Sequence, residues 1–497
     1  MAVARRRMSH QARSREEPID LLRGRFMNKH VTRIVVVGLA LGLTACASYR
    51  PRPIEPAATV TAFEHRSLHD PSLQAFLQRN DSAYHPTTGP SSWDLRSLTW
   101  VALYYQPDLD VARAKWRAAE AAVITAGARP NPTLDFTNQY NVDAPAGVSP
   151  WTVGPTINVP IETAGKRGDR IRQAQQLAEA ARLNIAETAW QVRRRVRSSL
   201  LGVYPTVPLL RRQQERQAEL VRLIERRTAT GEASQPELIQ AHITLNQLSL
   251  NLQEAQKRLA ENRVQLASAL GLPVSALHGV TLSMTTFEHM PPLSALPSHD
   301  VQRQALRDRP DVRAALADYE ASQAALQGEV AKQYPDITLG PGFLWDAAQA
   351  KWSLGLSLVL PLFNHNQGPI AEAQAHRQQA AANFLAVQAQ AIGEVDQALA
   401  GYRQVVGKLG TADTLLAAQR KAARSAEALY QAGETDRLSL IGAQVELAAA
   451  ELARLDTLLQ AQQSLGALED AMRHPLGALA TDIHTLENAP RMQDSQP

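Results

Sequence analysis

Long helices dominate the pattern of apolar and polar positions along this chain. Apolar residues recur every three or four positions, the spacing of one helix face, in six segments: about 93–129, 169–230 and 236–270, then about 298–333, 370–431 and 437–472. At 1.5 Å per residue the two longest segments extend about 93 Å. The shorter helices, placed end to end in pairs, match that length, which predicts an elongated bundle.

Two stripes inside these helices alternate steps of three and four, which is the heptad pattern of helices that pack side by side. They are Leu238, Ala241, Leu245, Leu248, Leu252, Ala255 and Leu259, and Ile441, Val445, Ala448, Leu452, Leu455 and Leu459. We expect both stripes to hold the bundle together and to bind no ligand. Pro205 and Pro208 interrupt the first long helix; because proline breaks the helical hydrogen-bond ladder, that helix either kinks there or ends.

Two pairs of segments alternate apolar and polar residues, the pattern of strands with two different faces. The apolar positions are Leu134, Phe136, Tyr140, Val142, Trp151, Val153, Pro155, Ile157, Val159 and Ile161, then Ile337, Leu339, Phe343, Trp345, Trp352, Leu354, Leu356, Leu358, Leu360 and Leu362. Strands of about ten residues with aromatic ends are typical of a transmembrane β-barrel. A half-buried sheet in a soluble domain has the same period, but Trp151, Trp345 and Trp352 near the strand ends favour the membrane.

The chain repeats itself at an offset of about 200 residues, so it contains a doubled module. The matching segments are Gln106-Pro107-Asp108-Leu109 with Arg309-Pro310-Asp311-Val312, Trp151-Thr152-Val153-Gly154 with Trp352-Ser353-Leu354-Gly355, Val159-Pro160-Ile161 with Leu360-Pro361-Leu362, and Gly231-Glu232 with Gly433-Glu434. The predicted divisions are an N-terminal segment (46–92), two repeats (93–290 and 298–475), a linker (291–297) and a C-terminal tail (476–497).

Four strands cannot close a barrel, and open strand edges are not tolerated in lipid. Known single-chain barrels have at least eight strands. A membrane barrel therefore requires several copies of this chain: two copies supply eight strands and three supply twelve. If the polar strand faces line a lumen, the assembly is a pore that a helical tube continues.

The N-terminus has the features of a secretory signal over residues 27–45, with a basic start and a short apolar stretch. Leu43-Thr44-Ala45-Cys46 resembles the bacterial lipobox, in which the cysteine is lipidated, and Cys46 is the one cysteine of the chain. Ala47 after it points to the outer membrane, by the same resemblance. Residues 1–26 precede a second candidate start at Met27, and we interpret them as an upstream extension of doubtful status.

Composition excludes several classes of protein. The 497 residues are 44% hydrophobic and 20% charged, which is neither disordered nor collagen-like, and a single cysteine excludes a disulfide scaffold. The formal net charge of +4 arises in residues 1–45, and the remainder is slightly acidic. The charge therefore gives no argument for a nucleic-acid partner.

Over residues 46–475 the chain resembles the TolC-type outer-membrane factors, with the lipobox, the duplication, four strands and two Gly-Glu turns. Three segments resemble the CzcC-like branch: Ala128-Arg129-Pro130-Asn131-Pro132-Thr133-Leu134, Glu162-Thr163-Ala164-Gly165-Lys166-Arg167 and Asn364-His365-Asn366-Gln367-Gly368-Pro369-Ile370-Ala371-Glu372-Ala373. The resemblance implies a mainly α fold with membrane β-strands. It implies a homotrimer with a twelve-stranded barrel in the outer membrane, lipid-anchored and continued by an α-helical coiled-coil barrel in the periplasm.

The same resemblance implies partners and a cargo. The partners are a periplasmic adaptor and a proton-driven inner-membrane transporter of the RND type, and the cargo is divalent heavy-metal cations. Organic toxicants are the alternative cargo, and a duct for protein secretion is a third possibility. A lipoprotein that scaffolds the envelope without conducting, and a periplasmic enzyme, are the alternatives from other functional classes.

The resemblance also assigns candidate sites. The two Gly-Glu turns are expected to contact the adaptor at the periplasmic tips, through Gly231, Glu232, Ser234, Gly433, Glu434 and Asp436. Polar residues of the first strand pair are expected to face the lumen of the barrel: Asp135, Thr137, Gln139, Thr156 and Asn158. Relatives place aspartates just after the second turn, but residues 437–442 contain no acid, so Asp436 and Glu434 are the nearest candidates for an acidic gate.

No motif in the sequence predicts an active site, a cofactor or a resident metal. Gly165-Lys166-Arg167 lacks the serine or threonine that completes a phosphate loop. His65 and His69 have the i, i+4 spacing that can hold a metal on a helix, but no third ligand accompanies them. His365 and His376 are expected to be surface residues. Scarce ligands are compatible with metal export, since a conduit must release what it binds.

Overall fold

A computed structural model describes residues 49–81, 92–296 and 299–476. The predicted leader, the lipidation site Cys46 and almost all of the C-terminal tail lie outside these ranges. The chain divides into two compact units between residues 60 and 61. Of the first unit the structure describes residues 49–55, which have no regular secondary structure, and the start of α1 (Pro56–Glu64).

The second unit repeats one order of elements, two helices, two strands and then further long helices. In the first half, α2 (Pro71–Asn80) precedes α3 (Leu95–Tyr105), α4 (Pro107–Gly127), β1 (Thr133–Tyr140), β2 (Trp151–Ile161), α5 (Lys166–Gly202), α6 (Val207–Ala229) and α7 (Gln235–Leu270). In the second half the elements are α8 (His299–Asp308), α9 (Pro310–Ala331), β3 (Ile337–Asp346), β4 (Gln349–Leu358), α10 (Gln367–Gln431) and α11 (Arg437–Met472). Among the described residues between the halves there are three short 3₁₀ turns.

Proline divides three of the six predicted helices, which corrects their expected continuity. Gln106 (ψ 120°) and Arg309 (ψ 128°) each precede a proline and leave the helical region, because the proline ring disfavours the α conformation of the preceding residue. The first long helix ends at Gly202 and resumes at Val207, with Pro205 between the two parts and Pro208 in the first turn of α6. The corresponding α10 has no such break and runs for 65 residues.

The strands form one antiparallel sheet in the order β1-β2-β3-β4 that spans both halves. Two predicted strand ends were wrong. The first strand ends at Tyr140, so Val142 lies beyond it, and the fourth runs from Gln349 to Leu358 instead of continuing to Leu362. The hairpin turn at Ala347-Ala348, where both residues have positive φ, places the start of β4 earlier than the alternation suggested.

The long helices of the second unit form an open row. At the sheet end α4, α5, α9 and α10 lie side by side in that order, and towards the other end the order is α7, α6, α11 and α10. The row begins with α4 and α7 and ends with α10, as the sheet begins with β1 and ends with β4. Both heptad stripes pack inside this row, since Ala241, Leu252 and Leu455 are buried, which confirms their structural role.

The two halves use the same contact at the same place, which supports the predicted duplication. The side-chain amide of Gln106 donates to the carbonyls of Ser268 and Ala269, at 2.7 Å each. The guanidinium of Arg309 donates to the carbonyl of Ala471 at 2.6 Å. In each half, therefore, the residue before the Pro-Asp pair ties the helix that leads into the sheet to the end of the last helix.

Candidate functional site

One face of the sheet is polar over its whole width. The antiparallel register pairs Asp135 with Thr156, Thr137 with Gly154 and Thr133 with Asn158. The predicted lumen residues Asp135, Thr137, Gln139, Thr156 and Asn158 therefore share one face, as predicted. The amide of Asn158 donates to the Asp135 carboxylate, and Thr152 donates to Asp346 at 2.6 Å, which extends the polar surface onto β3. That this face lines a lumen stays a prediction.

Glycines of β3 make room for these polar side chains. A Cβ atom at Gly342 would lie 2.7 Å from the Thr156 hydroxyl and 2.8 Å from the Ser353 hydroxyl, and one at Gly340 would lie 2.8 Å from the Asn158 side chain. All three distances are too short for real Cβ contacts. The polar side chains of β2 therefore fit only because the facing positions of β3 are glycines.

The opposite face is apolar and uncovered in the single chain. Phe136 is 67% exposed, Trp352 is 84% exposed and Leu354 is 74% exposed. Aromatic pairs lie near the outer ends of the strands, with ring centroids 4.9 Å apart for Tyr140 and Trp151 and 5.2 Å for Phe343 and Trp352. An apolar face of this extent is unfavourable in water, so it requires lipid or protein against it.

The two helical tips have the same hydrogen bonds, 202 residues apart. Gly231 (φ 81°) and Gly433 (φ 76°) adopt the left-handed conformation that ends a helix. Ser234 and Asp436 then cap the next helix, accepting from the backbone of Glu237 and Ser439. All six predicted tip residues are exposed, so they are available to a partner.

Ion pairs tie the two tips together. Arg227 of α6 contacts Asp436 at the start of α11 at 3.1 Å, and Arg437 contacts Glu219 of α6 at 2.6 Å. Hydrogen bonds from Ser439, supplemented by Arg227, hold the pKa of Asp436 below its usual value. Asp436 is therefore both a helix cap and an ion-pair partner, while Glu434 forms no ion pair within the described ranges.

A buried ionic cluster lies where α5 meets α11, and the sequence pattern did not predict it. Arg193 contacts Glu469 at 3.0 Å, and Arg197 contacts the same carboxylate at 3.5 Å. Arg197 also donates to the backbone and side chain of Gln462, and that amide reaches the carbonyls of Phe287 and His289. These side chains are almost wholly buried. Buried charges are retained only when they are paired, so the cluster fixes how the two halves pack.

A second ionic group lies beside the first and includes the repeated Pro-Asp segment. Arg309 contacts Asp311 at 2.6 Å and Glu394 of α10 at 2.9 Å. Arg473 contacts Glu187 of α5 at 2.8 Å and Asp311 at 3.7 Å. Charged side chains therefore join four long helices at the same place along the row: α5, α9, α10 and α11. The only sequence signal was the Arg309-Pro310-Asp311 repeat, which indicated duplication and not an ion pair.

Asp470 predicts a pH dependence of stability. Burial raises the pKa of Asp470 to about 6, against the opposing effect of Arg194 and Arg193. Between the unfolded pKa near 4 and this value the native state holds a proton that the unfolded state has released, so stability falls as pH rises. Asp470→Asn can keep the hydrogen bond from Trp190. We expect this variant to be more stable than wild type at pH 8 and to have nearly the same stability as wild type at pH 4. Unfolding midpoints of both proteins from pH 4 to 8 measure this, and a constant difference would contradict it.

The structure provides no candidate for a resident metal in its described ranges. There, no group of three or more His, Cys, Asp or Glu side chains could hold a metal ion. The ring of His65 lies 2.7 Å from the Thr61 carbonyl of the preceding helical turn, and neither His65 nor His69 belongs to such a group. Among the helices of those ranges, none is long and apolar enough to cross a membrane.

The chain is similar in sequence to known outer-membrane proteins. The family described as "Outer membrane efflux protein" matches residues 101–272 and 301–472. The chain is 27% identical over 369 residues to the cobalt-zinc-cadmium resistance protein CzcC of Cupriavidus metallidurans, covering 72% of this chain and 84% of that protein. It is 26% identical over 481 residues to the pyoverdine export outer membrane protein OpmQ of Pseudomonas putida, covering 87% of this chain and 97% of that protein.

The fold is also similar to a solved one. A crystal structure of CusC superposes with a TM-score of 0.60 at 20% identity, covering 76% of this chain and 91% of that one. The helix-rich fold with a small sheet is therefore that of known outer-membrane efflux channels.

Proposed function

We propose that this chain, which belongs to the outer membrane efflux protein family in its TolC-type, CzcC-like branch, is the outer-membrane channel of a three-part, proton-driven efflux system of the RND type. Its cargo is divalent heavy-metal cations. The observation that carries the proposal is the open four-stranded sheet with one polar face and one exposed apolar face. Members of this family are transport proteins, not enzymes.

The open edges support closure by several copies. One edge consists of α4, β1 and α7, and the other consists of α10 and β4. Both edges carry exposed apolar side chains: Ile124, Ile239, Ile243 and Leu250 on the first, and Leu385, Ile392, Leu415 and Leu429 on the second. Two different surfaces that complement each other generate a ring. Three copies of four strands give a twelve-stranded barrel, which is within the range of known barrels.

Closure of the ring forms a continuous conduit through the barrel and the helices. With the apolar face against lipid, Asp135, Thr137, Gln139, Thr156 and Asn158 line the water-filled interior of the barrel. The helical row continues it as a tube into the periplasm, and a lipid on Cys46 anchors each copy in the outer membrane. Four of these five groups are neutral, and the carboxylate of Asp135 accepts a hydrogen bond from Asn158, so the lumen passes ions without retaining them.

Single cysteines in β1 test which face meets lipid. Phe136→Cys and Thr137→Cys are adjacent, and in the single chain Phe136 is the more exposed of the two. In outer membranes we expect a water-soluble maleimide to modify Thr137→Cys at least tenfold faster, because Phe136→Cys faces the bilayer. Equal modification of both would contradict the barrel and favour the non-conducting scaffold.

The tips supply the contact with the periplasmic adaptor. Gly231, Glu232, Ser234, Gly433, Glu434 and Asp436 present two short loops of the same geometry, which suits a partner that binds each loop alike. The double variant Glu232→Lys/Glu434→Lys is expected to abolish efflux-dependent tolerance while assembly is unchanged. The matched control is Glu254→Lys, an exposed acid within α7, and loss of tolerance in this control alone would contradict the assignment.

The cargo is inferred from CzcC, whose name specifies cobalt, zinc and cadmium resistance. OpmQ, named for pyoverdine export, supports the alternative of an organic cargo. A deletion strain complemented by this chain distinguishes them. Restored tolerance to zinc, cobalt and cadmium supports the first, and restored export of organic compounds alone supports the second.

A further inference from the structure

A basic group and an exposed apolar segment lie at the end of the sheet where the long helices begin, towards opposite edges of the sheet. Beyond β4, Val359, Leu360, Leu362 and Phe363 are between 63% and 96% exposed. Before β1 and after β2, at the same end of the sheet, lie Arg129 and Arg167. We call these two arginines together with residues 359–363 the basal patch.

The two arginines share one junction. The Nε of Arg167 donates to the carbonyl of Gly127 at 2.7 Å, and Arg129 follows that glycine by two residues. In the described ranges neither arginine forms an ion pair, whereas the basic residues around them do: Lys166 with Asp336, Arg170 with Glu162, Arg172 with Asp169 and Lys332 with Glu329. The positive charge of this end of the sheet is therefore concentrated on Arg129 and Arg167.

The opposite end of the sheet differs in charge. Its exposed lysine, Lys351, is paired with Asp346 at 2.7 Å, and Asp143 lies in the adjoining turn. Within the described ranges, positive charge without an ion-pair partner therefore lies at the end of the sheet from which the helices leave. Guanidinium groups bind phosphate through paired hydrogen bonds, and the exposed apolar segment 359–363 directly follows Leu358, the last residue of β4.

We propose that the basal patch binds an anionic phospholipid of the membrane leaflet that faces the periplasm. Its phosphate lies on Arg129 and Arg167, and its acyl chains lie against residues 359–363. This inference rests on the proposed function: ring closure brings β4 of one copy beside β1 of the next, and so brings the apolar segment after β4 beside the arginine before β1. The patch is then completed at each seam between copies.

Native mass spectrometry of the detergent-extracted assembly, titrated with phosphatidylglycerol or with phosphatidylcholine, tests the proposal. We expect the wild-type assembly to bind phosphatidylglycerol more tightly. Because each basic residue near an anionic lipid surface contributes about 1 kcal/mol, Arg129→Gln/Arg167→Gln is expected to weaken that binding by about tenfold to thirtyfold. Lys351→Gln, at the other end of the sheet, is the matched control and is expected to have no effect.

Phe363→Ser tests the apolar part of the basal patch. This variant is expected to weaken the binding of both lipids without changing the mass of the assembly. Arginine variants that bind phosphatidylglycerol within twofold of wild type would overturn the lipid site. So would a Phe363→Ser chain that no longer assembles, because residues 359–363 would then be a contact between copies. A wild-type chain that is monomeric would overturn the proposed function as well, so the two failures are distinguishable.

Discussion

Replacing Arg309 with alanine is expected to lower the free energy of unfolding by about 2–3 kcal/mol, the larger part of what loss of one partner of a buried ion pair costs. The side chain of Arg309 is 2% exposed and binds Asp311, Glu394 and the carbonyl of Ala471. Its loss removes one donor from two carboxylates and from a helix-end carbonyl, while Arg473 still lies near Asp311 and Gln390 still donates to Glu394. Asp311 and Glu394 are partly exposed, so water offsets a part of the loss.

The first half of the chain supplies the matched variant for this experiment. Gln106 occupies the equivalent place and contacts only carbonyls of α7, so Arg309→Gln keeps that type of contact and removes the charge. We expect Arg309→Gln to destabilise less than Arg309→Ala, as measured by urea or thermal unfolding in detergent. Equal midpoints for wild type and Arg309→Ala would contradict the role given to this cluster.

Replacing Gly466 with alanine is expected to destabilise the chain by about 1–3 kcal/mol, the usual cost of overpacking a core. A Cβ at this position would lie 2.2 Å from the guanidinium of Arg197. That guanidinium is buried, and it is fixed by Gln462, by Glu469 and by the ring of Phe287, whose centroid is 5.6 Å away. It therefore has no alternative place that keeps its partners.

Gly442, on the same helix, is the control for this substitution. A Cβ there would meet no atom within 4 Å, so Gly442→Ala is expected to stabilise by about 0.5–1 kcal/mol through helix propensity. Arg197→Met is expected to recover part of the stability of Gly466→Ala, because it removes the clash and leaves Arg193 to pair with Glu469. We therefore expect the unfolding midpoint to fall for Gly466→Ala and to rise for Gly442→Ala. A destabilisation of the same size at both positions would contradict the steric account.

The strand faces and the duplication could be predicted from the sequence because each depends on local or repeated signals. A period of two in residues 133–161 determines which side chains share a face, and the register of β1 with β2 confirms that assignment. The glycine at each tip could be identified because a left-handed helix end strongly favours glycine. Strand ends were less predictable, since the turn at Ala347-Ala348 uses positive φ angles without the glycine or asparagine that usually marks them.

The ionic clusters could not be predicted, because they join residues far apart in sequence. Arg193 and Glu469 are separated by 276 positions, and nothing in the local pattern distinguishes them from the solvated charges on either side. Pro205 and Pro208 predict that the first long helix either kinks or ends near them, and the structure shows that α5 ends at Gly202 and α6 begins at Val207. The lumen and tip residues remain predictions, since each depends on copies or partners beyond the single chain.

We propose that several copies of this chain close a barrel in the outer membrane. Light scattering on the detergent-extracted protein gives the mass of the particle, and gel mobility before and after heating reports whether barrel strands unfold. For the mature chain we expect three chains per particle and a mobility that changes on heating. A monomer recovered from the soluble periplasmic fraction, with the lipid on Cys46 intact, would contradict it.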